Sequence, residues 1–266
     1  MKDKKFSLAN IYLIFVFVIM YLPLAYLIIY SFNSGSTMNS FEGFSLENYR
    51  AIFDDPRLIS IAINTIILAL LSSILATIIG TLGAISIYYM KSKKMKKKIL
   101  GLNSVLMVLP DVMMGASFLI LFSFLVKIPM GFFSVLAAHV AFSIPIVVLM
   151  VLPRLYALNS DMMKAAEDLG ASDMTILNKI ILPNISSGVF AGFFMALTYS
   201  LDDFAVSFFV TGSGFSTLSI EIYSRVRRGI SLEINALSSI IFLISLLMVI
   251  GYYIIESKER KGRKYE

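Results

Sequence analysis

Residues 154–187 read RLYALNSDMMKAAEDLGASDMTILNKIILPNISS. The stretch is too long and too patterned to be a simple turn. Residues 161–169 suit a helix, with Ala165 and Ala166 on a small-residue face, and Gly170 breaks it. Ser172 is placed to cap a second short helix. In that helix Met174, Leu177 and Ile181 recur at i, i+3 and i+7, which gives one apolar face, and Pro183 is expected to end it. The expectation is a helix, a glycine turn and a helix. An apolar edge of this kind presented to water predicts a protein partner.

Outward from this segment the chain is strongly apolar. It has 266 residues, is 58% hydrophobic and has a mean hydropathy of +0.84, whereas globular chains are roughly half apolar. Six runs reach the about 20 residues that a helix needs to cross a bilayer. They are 8–32, with Pro23 inside it; one within 58–90; 99–126, with Pro110 and Asp111; 132–153; 188–210; and 236–255. The second run is longer than a bilayer requires, so it extends beyond the membrane, tilts, or bends near Gly80 and Gly83. The runs are continuously apolar, which argues against a membrane barrel, whose strands alternate apolar and polar residues. The fold class is all-α: a polytopic membrane protein of about six spans. The whole chain, 1–266, is expected to form one transmembrane domain. An N-terminal span and outer loop occupy 1–57, core spans with the loop at 154–187 occupy 58–256, and a tail occupies 257–266.

The first run follows Lys2, Lys4 and Lys5. It exceeds the about 7–15 residues of a signal-peptide core and no A-x-A site follows, so it reads as an uncleaved span. With the N-terminus inside, cytoplasmic segments carry seventeen Lys and Arg residues and outer segments six. That bias puts both termini in the cytoplasm, although Arg225, Arg227 and Arg228 fall outside. The net charge of +6 and the pI of about 9.3 therefore reflect topology and membrane lipid headgroups, not nucleic acid. The absence of cysteine excludes disulfides and thiolate metal sites. Small residues four apart, Gly80 with Ala84 and Gly188 with Gly192 and Ala196, suit close helix packing. Two long outer segments, 33–57 and 212–235, are either plain connections or surfaces that meet a partner.

The run Ala165-Ala166, Gly170, nine residues, then Ile180-x-Leu182-Pro183 resembles the EAA signature of bacterial ATP-binding-cassette importer permeases. Lys164 stands where the motif opens with Glu, and an acid follows at Glu167. Within that family the chain most resembles the PotC-type permeases of spermidine/putrescine importers over nearly its whole length. The resemblance is strongest in Leu109-Pro110-Asp111, the EAA loop, Leu201-Asp202-Asp203-Phe204, Phe209-Val210-Thr211-Gly212, Ile222-Tyr223-Ser224 and Glu233-x-Asn235-Ala236-Leu237. It implies a type I importer (MetI-like) fold. It also implies that Lys164, Ala165, Ala166, Glu167, Gly170, Ile180, Leu182 and Pro183 form a coupling segment docked on an ATPase. The implied partners are an ABC ATPase subunit dimer, a PotB-like sister permease and an extracytoplasmic polyamine-binding protein. ATP and Mg would be bound by the ATPase, with no cofactor in this chain. The residues agree on one point: no G-x-x-x-x-G-K-[ST] loop is present to cradle phosphate.

Asp111, Asp202 and Asp203 fall inside predicted spans. A charge at mid-membrane costs at least about 2.5–3.5 kcal/mol, so an acid there faces a path or a partner. In straight helices Asp111 would lie about 18 Å past residue 99 and Asp202 about 21 Å past residue 188, so both reach middle to outer depth with no Lys or Arg at that level. One expectation is a cation path suited to a diamine or triamine, with Tyr199, Phe204 and Phe208 near it. The other is that one of the Asp202–Asp203 pair bonds a kinked helix and only its neighbour faces the path. His139, the single histidine, is expected to be packed and hydrogen-bonded. The sequon at Asn184-Ile185-Ser186 falls on the cytoplasmic side and carries no function. Two other readings stay open: the same importer class serving another organic cation or amine, and a stand-alone ion-coupled carrier. A membrane-embedded enzyme has no support, since no H-E-x-x-H or nucleophile motif occurs.

Overall fold

The computed structural model describes residues 8–228 and 232–262. Twelve helices are described along the chain: α1 (Leu8–Ser31), α2 (Glu47–Asp54), α3 (Pro56–Tyr89), α4 (Lys93–Val108), α5 (Asp111–Ile120), α6 (Phe132–Tyr156), α7 (Ser160–Asp168), α8 (Asp173–Ile176), α9 (Leu182–Asp202), α10 (Ala205–Val210), α11 (Leu218–Arg228) and α12 (Leu232–Gly262). Leu121–Val126 continues α5 as a π-helical turn, and Leu177–Ile181 joins α8 to α9 in the same way. Five helical stretches are long and apolar enough to cross a membrane, or six if the bent pair α4–α5 counts as one span. The all-helical, polytopic expectation holds.

Three details differ from expectation. The run 99–126 is not a straight span, because α4 and α5 meet at 107° across Leu109 and Pro110. Proline disfavours the α conformation in its predecessor, and Leu109 is extended at φ −63° and ψ 135°. Asp111 therefore opens a new helix, and its straight-helix depth does not apply. The fifth span also breaks. Asp203 is extended at φ −62° and ψ 121°, which ends α9 before α10 begins. Pro183 does not end the second helix of 154–187, since one helical stretch runs from Asp173 to Asp202. The π turn absorbs the proline: the Leu182 N–H donates to the Leu177 carbonyl, and Asn184 Nδ2 donates to the Ile180 carbonyl at 2.8 Å. The wider turn and the Asn184 side chain thus keep the carbonyls of Leu177 and Ile180 paired on either side of a residue that brings no N–H.

The chain divides into two compact units. Residues 61–221 with 249–266 form one of them. Its core is built on α6, which buries Val135, Ala138, Phe142, Val147, Val151 and Leu155. Small residues let neighbours reach it. A Cβ added at Gly192 would lie 3.1 Å from Val147, one at Gly80 2.7 Å from the same valine, and one at Gly188 2.7 Å from Arg154 Cγ. Without cohesive water between helices, such close packing is what holds a bundle in lipid.

Residues 1–60 with 222–248 form the other unit. Here the segment after α1 is folded around Asn33. Its side chain accepts from the Glu42 N–H at 2.8 Å and donates to the carbonyls of Ser40 and Thr37. Asn48 Nδ2 donates to the carbonyls of Ser31 and Asn33, and Phe32 packs its ring on Phe44 and Tyr49. Arg225 bonds Asp55 at 2.7 Å and Glu233 at 3.3 Å. Among the described residues, each of the outer segments expected from sequence holds a helix, α2 in 33–57 and α11 in 212–235.

Candidate functional site: a carboxylate cavity and a bent segment at 154–187

Two chain breaks build the cavity. At the first, Pro110 starts α5 and its carbonyl accepts from the N–H groups of Met113 and Met114. Asp111 occupies the first turn, where the positive end of the peptide dipoles favours an acid. At the second, Asp203 leaves α9. Its carboxylate accepts from the backbone N–H of Val206 at 3.2 Å and of Ser207 at 2.7 Å, which supplies the first turn of α10 with acceptors. An aspartate that bonds nearby N–H groups competes with helix continuation, and this one wins.

Between the breaks lies a cavity of about 480 Å³. Asp111, Asp202 and Asp203 all line it, with Met114, Phe142, Tyr199 and Phe204 among the apolar and aromatic walls, and no Lys or Arg is among the lining residues. Its size falls within the range of about 300–1,000 Å³ seen for small-molecule sites. Asp111 and Asp202 are exposed, and Asp203 is largely enclosed. Phe208, expected near the path, is not among the lining residues.

The third acid has a neighbour that sequence reasoning did not find. His139, 0% exposed in α6, places Nε2 3.3 Å from Asp203 Oδ2 and 2.9 Å from Ser207 Oγ, and Nδ1 2.7 Å from Ser200 Oγ. Ser200 Oγ is in turn 2.9 Å from Ser72 Oγ of α3. The histidine is packed and hydrogen-bonded as expected, and its partner is the acid for which none was evident. No spacing rule joins residue 139 to residue 203, because the contact forms only when α6 meets the break after α9.

At 154–187, α7 ends in a Schellman turn. The Gly170 N–H donates to the Glu167 carbonyl and the Ala171 N–H to the Ala166 carbonyl, both at 2.9 Å, with Gly170 at φ +79°. This is the left-handed closing position that favours glycine. Ser172 then caps α8 by accepting from the Thr175 N–H. The buried face comprises Met163, Ile176 and Ile181, so the expectation for Met174 is corrected: it is 63% exposed, and Leu169 is 88% exposed. Ile176, not Met174, takes the inward position because α8 enters the π turn, which rotates the face relative to a plain α-helical count. Two large apolar side chains therefore flank the glycine turn uncovered. Lys164 makes only an exposed i,i+3 pair with Asp161 at 3.7 Å, which contributes little. Ala165, Glu167 and Pro183 are exposed, whereas Ala166 and Ile180 pack against the core.

The chain matches the family model for binding-protein-dependent transport system inner membrane components over residues 76–261. It is 39% identical to the spermidine/putrescine transport system permease protein PotC of Haemophilus influenzae, across 96% of this chain and 98% of that one. It is 39% identical to the protein of the same name from Escherichia coli, across 93% of each. The putrescine transport system permease protein PotI of Escherichia coli is 30% identical across 92% and 89%. Among solved structures, a bacterial ABC transporter involved in import of the acidic polysaccharide alginate superposes with a TM-score of 0.72 at 15% identity, covering 92% of both chains. That likeness concerns the fold.

Proposed function

We propose that this chain, which belongs to the family of binding-protein-dependent transport system inner membrane components, is the permease subunit through which an ATP-binding-cassette importer moves spermidine or putrescine into the cytoplasm. The cargo assignment is supported by the names of its relatives. The observation that carries it is the cavity that presents Asp111, Asp202 and Asp203 with no cationic side chain on its wall. A polyamine supplies several ammonium groups along a flexible apolar stem. Separated carboxylates with apolar and aromatic wall between them complement that pattern, and aromatic faces add cation–π attraction.

Transport energy comes from a partner. The segment around Gly170 presents Leu169 and Met174 to the cytoplasm on a turn of fixed shape, and this is the handle for a separate ATPase dimer that holds ATP and Mg. The remaining partners are an extracytoplasmic polyamine-binding protein and a PotB-like sister permease. Both termini lie in the cytoplasm, following the distribution of Lys and Arg.

The test is uptake of labelled spermidine by the assembled complex in proteoliposomes. Asp111→Asn and Asp202→Asn should each reduce uptake by about tenfold or more, since each leaves an ammonium group without its charge partner. Undiminished uptake by both variants at equal complex yield would remove the cation path.

A further inference from the structure

The three carboxylates of the cavity are not equivalent. Asp203 directs both oxygens into the protein: Oδ1 receives the Val206 N–H, and Oδ2 receives the Ser207 N–H and lies 3.3 Å from His139 Nε2. Asp111 and Asp202 are exposed and face the cavity from its wall. The imidazole also reaches Ser200 in α9 and Ser207 in α10, so one ring spans both sides of the break. Through Ser200 the chain of contacts reaches Ser72 in α3. Ser72 Oγ donates to the Ala69 carbonyl at 3.1 Å, which anchors the far end of the network on the backbone of α3. Burial leaves no water to substitute for these contacts, and a polar network in such surroundings is rigid when complete and costly when broken.

We propose that His139 is the positioning residue of the cavity: its buried imidazole ties Asp203 into the break between α9 and α10, which leaves Asp111 and Asp202 as the carboxylates that receive the cargo. The proposal rests on the cation-path reading above and assigns separate duties within it. Asp203 shapes the wall and sets where Asp202 stands. Asp202 and Asp111, at the openings of two different helix breaks, take the two ends of a diamine.

Two predictions separate a positioning role from simple core packing. The first is rescue. His139→Ala should lower spermidine uptake by about tenfold, the scale of one buried charge-assisted contact. His139→Gln, which keeps a donor near the ring position, should recover uptake to within about threefold of the parent, on the same scale. The second is a double-mutant cycle. Residues that act through one network are non-additive, whereas independent residues multiply. His139→Ala combined with Asp203→Asn should therefore transport no worse than the weaker single variant. His139→Ala combined with Asp111→Asn should show the product of the two losses.

All uptake is measured in the complete complex, normalised to complex yield. If His139→Ala does not assemble, Ser207→Ala, which removes one hydroxyl from the network, replaces it in the cycle. Multiplying losses for the His139 and Asp203 variants, or a His139→Gln as inactive as His139→Ala, would overturn the proposal. That outcome is distinct from failure of the cation path, in which Asp111→Asn and Asp202→Asn would themselves leave uptake unchanged.

Discussion

Asp55 shows how a single residue reports on the fold outside the membrane. The Arg225 guanidinium at 2.7 Å holds its carboxyl below the usual carboxylate range, assisted by the N–H groups of Leu58 and Arg57. A group lowered in the folded state stabilises it fully above the unfolded value, about pH 4, and loses that contribution as pH falls through the lower folded value. Both side chains are partly exposed, so solvent screening keeps the effect modest. Circular dichroism melting of the detergent-solubilised protein should show an acid-side decline that is shallower in Asp55→Asn. The residue scale is also where sequence was least informative. Acids inside apolar runs stood out in the sequence, because lipid penalises them wherever they fall, and the structure brings all three to one cavity wall. How Asp203 is held was not legible, because that depends on the ring of His139 meeting it at the break.

At the scale of elements, the spans were legible from length and apolar content, and their breaks were not. Pro110 and Pro183 are both prolines in apolar runs, yet one turns the chain by 107° and the other sits inside a continuous helix. What separates them is hydrogen bonding the sequence does not display: a π turn and the Asn184 side chain support Pro183, while Leu109 extends before Pro110. The glycine turn was legible, since Gly170 does adopt the left-handed conformation. A Cβ there would meet open space, and the left-handed backbone costs an L-residue about 1–2 kcal/mol at this one position, so Gly170→Asp should still insert and assemble. It places a charge between Leu169 and Met174, and substrate-stimulated ATP hydrolysis should fall to the unstimulated rate. Retained stimulation would refute the docking assignment. Gly192 makes the opposite case, because its added Cβ lies 3.1 Å from Val147. Gly192→Leu should destabilise the packing of α9 on α6 by about 1–3 kcal/mol, read as a lower melting temperature.

For the whole molecule, the proposed division of labour is supported by what the chain carries. It carries helices long and apolar enough to cross a membrane, a carboxylate cavity and a glycine turn with uncovered apolar side chains. It lacks a phosphate-cradling sequence. The direct measurement is uptake of labelled spermidine into proteoliposomes, comparing the purified chain alone with the complex of permeases, ATPase and binding protein, each with and without ATP. Concentrative uptake should appear only in the full complex with ATP. Uphill accumulation by the chain alone, without nucleotide, would contradict the account.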